Sequence, residues 1–219
     1  MCWRPWRQAV YPGSVSGVHA TAARVGAEEI REAVRRTFDR VADTPGAGFR
    51  FGVGAALARE IGYAEAVVAG LPAVVTESFT GVADLHPYLA LRAGERVLDL
   101  GSGAGFDALL AARAVGPVGA VTGLDMADAM AAKARSAASL VGAANVTFER
   151  AEAEAMPFAA GAFDAALVNG IFNLCPDKPP VASELFRVLR PGGRAVVAEI
   201  TFTDPRPPTE VLTIDDWFR

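Results

Sequence analysis

Three acids and one glycine-rich turn are the residues whose types and spacing could do chemistry in this chain. Gly101-Ser102-Gly103-Ala104-Gly105 follows a short apolar run, residues 97–100, interrupted only by Asp99. Glycines in such a turn can take positive φ and let a ligand approach the backbone, with the N–H groups at the start of the next helix facing its polar end. A helical pattern over residues 106–115 follows, and Gly116-Pro117 stops it. A second apolar run, residues 121–124, then ends in Asp125. An acid at that distance from a glycine turn can accept hydrogen bonds from a ribose diol. Together the parts make the mononucleotide-binding half of a doubly wound sheet. The third acid, Glu152, follows a later apolar run at residues 146–148.

The turn does not fit the dinucleotide fingerprint, which wants a third glycine where Phe106 stands. The pattern is instead GxGxG, with Asp99 two residues before its first glycine. The stretch VLDLGSGAG…GLD resembles the binding motif of class I, Rossmann-like methyltransferases that use S-adenosylmethionine. The resemblance implies a cofactor set built on Gly101, Ser102 and Gly103. Asp99 would orient the loop and help hold the methionine amino group, commonly through water, Asp125 would accept the ribose hydroxyls, and Met126 would pack on the adenine. Ala151-Glu152-Ala153-Glu154-Ala155-Met156-Pro157-Phe158 is similar to the family's stretch after its third strand. It implies that Glu152 accepts from the adenine amine while the Ala153 N–H faces the ring. A fourth matching segment, Phe163 through Gly170, puts Asn169 at the open edge of the pocket.

With Ile171-Phe172-Asn173-Leu174-Cys175-Pro176-Asp177-Lys178, this last segment is similar to arsenite methyltransferases, which also share LDLGSGAGFD and VTGLDM. The likeness runs over residues 95–199 and more loosely over the helices before them. One departure matters. That subfamily holds trivalent arsenic with several thiolates, one just after the asparagine, where this chain has Gly170. Its two cysteines are Cys2 and Cys175, so a soft three-thiolate site cannot be assembled and arsenic methylation is disfavoured. Cys175 reads as a small buried residue or pocket wall.

The elements that must position these residues can be read along the chain. Residues 1–27 hold arginines but no acid and read as a flexible extension, with Trp3 and Trp6 free to tuck onto the domain. From residue 28 to 92 the pattern is helical. Ile30, Val34, Phe38 and Val41 form one face, and shorter helices are expected at 54–61, 63–69 and up to Glu77. In the resemblance this block is a cap over the methyl-donor pocket. Residues 93–200 form the cofactor-binding core. Its further elements are a helix at 126–140 with Lys133 and Arg135 as solvated charges, strands at 146–148, 163–168 and 194–200, and a helix at 180–189. Arg187, Arg190 and Arg194 read as a solvated face. The fold expected is α/β, a Rossmann-like doubly wound, mostly parallel sheet with an N-terminal helical cap. Residues 201–219 leave room for a loop and a short helix at 214–218, but not for the helix and two strands that usually complete a seven-stranded sheet. A truncated sheet is therefore expected, with an open edge through which copies could pair.

Composition narrows the partners. The net charge of −4 carries no basic signature for nucleic acid, no apolar run reaches membrane-spanning length, and two histidines make a zinc site improbable. Two cysteines suit a reducing cytoplasm. The function expected is methyl transfer from S-adenosylmethionine to a small-molecule acceptor. The alternatives are a non-catalytic cofactor-binding remnant and, on the βαβ unit alone, a nicotinamide oxidoreductase. Glu199, Asp177 and His86, which precedes Pro87 in a linker, are the few candidate bases, none compelling, since a sulfonium donor needs alignment more than proton transfer.

Overall fold

The computed structural model describes residues 25–200; the expectations for residues 1–24, for the helix at 214–218 and for the rest of the tail lie outside them. Five strands, β1 (Arg96–Leu100), β2 (Ala120–Asp125), β3 (Val146–Arg150), β4 (Phe163–Asn169) and β5 (Leu189–Ala198), form one sheet in the order β3-β2-β1-β4-β5. Every pairing is parallel. The chain steps from β1 out to β3 and then crosses back to β4, leaving a switch point beside β1 where doubly wound sheets bind ligands.

Both faces of the sheet are covered, so its strands are nearly continuous apolar runs rather than alternating ones. Leu98, Leu100, Leu124, Ala166 and Val168 face α8 (Lys178–Val188) and are buried against Val181 and Leu185. Val97, Val121, Ala165 and Leu167 face the other way, onto α6 (Phe106–Val115) and α7 (Asp128–Val141). On that side Asp99, next to Val97 in the same strand, is also buried.

The helices before β1 are α1 (Ala27–Asp43), α2 (Ala55–Glu60), α3 (Glu65–Ala69), α4 (Ala73–Thr76) and α5 (His86–Leu89). They share the core rather than sitting on it. Tyr63, Phe79 and Leu89 belong to the same buried cluster as Phe106 and Leu109. Phe106 occupies the third-glycine position, and its ring lies 4.3 Å from Phe79 and 4.9 Å from Tyr63. A side chain is tolerated there because the cap supplies an aromatic socket for it. Truncating a ring so enclosed typically costs about 3–5 kcal/mol.

Four readings need correction. His86 opens α5 instead of lying in a linker. Lys133 is not a solvated charge of α7: its ammonium meets Glu77 at 2.7 Å and donates to the Ala42 carbonyl and the Ser78 hydroxyl, each at 2.8 Å. Arg135 likewise donates to the Phe148 carbonyl. Nor are the three arginines near β5 a free face. Arg187 chelates Glu184 and reaches the Met156 and Phe158 carbonyls, Arg190 pairs with Asp164, and Arg194 pairs with Glu95. In each case a cation at helical or turn spacing meets a partner far away in sequence. The fourth correction concerns the last strand, which begins at Leu189 and bulges at Arg190–Gly193, because Leu189 opposes Phe163 while Arg194 opposes Ala165.

The Arg194 pair ties the two ends of the fold together. Its guanidinium is bidentate on Glu95 at 2.7 Å for each bond and donates to the Leu89 and Ala90 carbonyls at 2.7 and 3.0 Å. The Arg194 bond holds the nearly buried Glu95 carboxyl below its ordinary range, with the Arg92 N–H assisting. A lowered folded-state value stabilises the protein above the unfolded value, and that contribution is lost as pH falls through the folded one. Arg194→Ala should therefore cost about 2 kcal/mol at neutral pH. The gap from wild type should narrow below about pH 4, as urea melts across that range would record.

Candidate functional site

Register alone gathers the site. Leu100 pairs with Leu124 on one side and with Val168 on the other, while Arg150 pairs with Asp125. Gly101, Asp125, Asn169 and Ala151 are therefore the residues at which these four strands end, side by side. They line one cavity of about 90 Å³, together with Gly103, Met126 and Ala153.

The turn closes on itself before any ligand arrives. The Gly101 and Ser102 N–H groups donate to the Leu124 carbonyl, and the Gly105 N–H to the Ser102 carbonyl. Gly101 has φ +75°, and a Cβ there would stand 3.0 Å from the Ile171 side chain, so a bare backbone is what keeps the cavity open. The Gly103 N–H donates to Asp125 Oδ2 at 2.8 Å and the Ala127 N–H to Oδ1 at 2.8 Å. Both carboxylate oxygens are thereby oriented, with lone pairs left over for a diol. Burial pushes the Asp125 carboxyl up and the two N–H groups pull it back, leaving it above its ordinary range.

Asp99 is 2% exposed, and its Oδ2 has no hydrogen-bond partner. Burial, and then the Asp107 charge, raise its carboxyl well above the ordinary range, against one bond from the Ala108 N–H. A buried acid with a vacant oxygen beside a glycine turn fits a cationic group such as the ammonium of S-adenosylmethionine.

The remaining expected site residues divide. Met126, Ala153 and Asn169 line the cavity. The Ser102 hydroxyl does not: it is buried without a partner against Gly123, where a Cβ would come within 2.7 Å of it. Glu152 lies outside the cavity, half-exposed and 3.6 Å from Arg31, in an adjoining polar groove of about 580 Å³. Glu154 lines the cavity instead and pairs with Arg31 at 3.3 Å. Arg31, from α1, lines both spaces and stands at their junction. Of the candidate bases, none lines the cavity. His86 bonds to Asp107, Glu199 accepts from the Asn173 N–H, and Asp177 precedes α8. Cys175 does line it, as a thiol that burial pushes up to about 12.

Sequence reasoning missed Arg31, Thr80 and Asp107. Arg31 and Thr80 are placed by the cap, and nothing local marks them. The sequence shows Asp107 only as one acid within the otherwise apolar run Phe106-Asp107-Ala108-Leu109-Leu110; the structure buries it.

Comparison with known proteins gives one consistent result. The profile of a methyltransferase domain family matches residues 91–214. An arsenite methyltransferase of Halobacterium salinarum is 42% identical over 127 residues, 58% of this chain and 32% of that protein. A demethylmenaquinone methyltransferase of Thermus thermophilus is 42% identical over 117 residues, 53% of this chain and 50% of that protein. The chain thus spans a third to a half of these curated relatives. Among solved structures, a SAM-dependent methyltransferase from Aquifex aeolicus aligns with TM-score 0.51 at 25% identity, covering 58% of this chain and 69% of that one.

The state of Asp99 sets stability against binding. A carboxyl raised in the folded state destabilises the fold once the pH exceeds its unfolded value. Asp99→Asn, which keeps the shape and removes the charge, should raise the melting temperature of the ligand-free protein at pH 7. It should weaken S-adenosylmethionine binding by at least about tenfold, and calorimetry of both properties on the same sample checks the pair.

Proposed function

Because the chain belongs to the methyltransferase domain family, we propose that it transfers the methyl group of S-adenosylmethionine to a small, largely apolar acceptor. The observation that carries this reading is the meeting of Asp99, the Gly101–Gly103 backbone and Asp125 at the ends of adjacent strands. When bound, the donor supplies a methyl group already activated on a sulfonium.

The chain's own residues then have four tasks. Asp125, held by Gly103 and Ala127, accepts the ribose hydroxyls. Asp99 answers the ammonium with its vacant oxygen, directly or through water. Met126 and Ala153 bracket the base, and Arg31 must release Glu152 or Glu154 for a ligand to span the cavity and the adjoining groove. Val34, Phe38, Ile171 and Leu174 supply apolar walls that exclude water from the cavity. With these walls and no imidazole among the cavity-lining residues, the site works by alignment and desolvation. The Cys175 thiol stays protonated at neutral pH and is a wall.

The walls favour an apolar ring acceptor of the kind named for the Thermus relative over arsenite. Gly170, the position of the arsenic-binding cysteine in the resemblance, has φ +82°, and a Cβ there would lie 3.2 Å from Val82. A cysteine at that point would be strained, and with Cys175 in the same lining it would make two thiols rather than three.

Incubation with methyl-tritiated S-adenosylmethionine and a panel of a demethylated naphthoquinol, a simple phenol and thiol-complexed arsenite tests the proposal. Label is expected in the extracted naphthoquinol and not in the arsenical. Labelled arsenic would contradict the acceptor class. Cofactor binding without transfer to any acceptor would favour a binding-only domain.

A further inference from the structure

Behind the cavity wall, and joined to it through Asn169, lies a buried polar cluster that the proposed reaction does not use. Asp107, 5% exposed, sits in the first turn of α6 and receives donors from three separate segments. The Tyr63 hydroxyl donates to Oδ1 at 2.6 Å, His86 Nε2 lies 3.1 Å from the same oxygen, and Asn169 Nδ2 donates to Oδ2 at 2.9 Å. Burial and the Asp107 charge push the Tyr63 phenol up, so it remains a donor.

Asn169 is fully committed by this arrangement. Its Oδ1 accepts from the Val82 N–H at 2.8 Å and the Ala83 N–H at 3.3 Å, and its Nδ2 also donates to the Ala83 carbonyl at 2.9 Å. The strap at residues 79–83 therefore lies directly on the end of β4. It lies so close that a Cβ on Gly81 would come within 2.6 Å of Asn169 Nδ2. The same strap carries Thr80, which lines the cavity beside Asn169 and Gly170. By the order of the sheet this is the β1–β4 end of the site, opposite the β2 end where Asp125 stands.

We propose that Asp107 is a positioning residue: it touches neither ligand, and through Asn169, Tyr63 and His86 it fixes the Thr80 strap as the wall where the methionine arm and the acceptor meet. The inference rests on the proposed cofactor site. It adds that the wall at one end is held by a single buried carboxylate reading three elements at once. The group at 107 accepts on both oxygens. An amide can do so on one only: its NH₂ faces either the NH₂ of Asn169, or the Tyr63 hydroxyl and His86 Nε2, which must then turn from donors into acceptors.

The test compares Asp107→Asn with wild type, using S-adenosylhomocysteine, which carries the amino-acid arm as homocysteine, and 5′-methylthioadenosine, which lacks it. The variant should weaken S-adenosylhomocysteine about tenfold while leaving 5′-methylthioadenosine within about twofold, and should speed amide exchange at Val82 without speeding it in β1 and β2. Tyr63→Phe, which removes one donor and keeps the ring, should shift the same ligand selectively by a smaller factor; it serves if Asp107→Asn does not fold. Equal weakening of both ligands would assign Asp107 a merely structural role and overturn the proposal, and so would unchanged exchange at Val82. Wild-type protein that binds neither ligand would instead remove the cofactor site, whereas exchange at Val82 reads the clamp independently of any ligand.

Discussion

The structure depends on one short lock, the Asp125 carboxylate held by the Gly103 and Ala127 N–H groups. It joins the glycine turn after β1 to the start of the chain after β2, and it works only because Leu100 and Leu124 are in register. A one-residue slip would turn Asp125 to the opposite face and empty the site. The register is in turn fixed by burial on both faces of the sheet, with Val97 and Val121 committed to one side and Leu98, Leu100 and Leu124 to the other. The site is thus a consequence of core packing carried one residue beyond the strand ends.

Electrostatics gives that frame its selectivity. Asp99, Asp107 and Asp125 bring three acids to the ends of β1 and β2 and the start of α6. Two of them are raised by burial, and Asp107 adds its charge against Asp99. Such a group is costly in the ligand-free protein, and a cation relieves the cost. Asp107 is answered by donors of the cap and β4, Asp125 by backbone N–H groups, and Asp99 Oδ2 by nothing within the described residues. Asp99 does not itself line the cavity; it lies in β1 behind the Gly101–Gly103 turn that does, and under the proposed function its unpaired oxygen favours a positively charged amino-acid arm over a neutral or anionic ligand. A dinucleotide, with its pyrophosphate, would bring the wrong charge to this point.

Much of this was legible in the sequence because it is local. The glycine turn, the strand runs and Asp125 lie within about 30 residues of one another, and their pattern specifies a βαβ unit before any tertiary contact is known. What was not legible depends on contacts across long separations. Lys133 looks like any surface lysine of an alanine-rich helix until Glu77 and Ser78 arrive beside it. Asp107 looks like a helix-start acid until Tyr63, 44 residues before it, and Asn169, 62 residues after it, converge. The exchange of Glu152 for Glu154 as the cavity-lining acid has the same origin. Both acids meet Arg31 on α1, more than 100 residues away, Glu154 from the cavity and Glu152 from the adjoining groove. The cap was recognised as helical, but its aromatic socket for Phe106 was not, since Tyr63 and Phe79 sit in short segments with no clear periodicity.

The central claim is that adjacent strand ends form a site for S-adenosylmethionine, and the most direct measurement is a calorimetric titration of the purified chain with S-adenosylhomocysteine. Saturable one-to-one binding is expected, with no comparable heat from NAD and loss of binding in a folded Asp125→Ala variant. A folded wild-type chain that gives no heat with S-adenosylhomocysteine, or an Asp125→Ala variant that binds it as tightly as wild type, would contradict it.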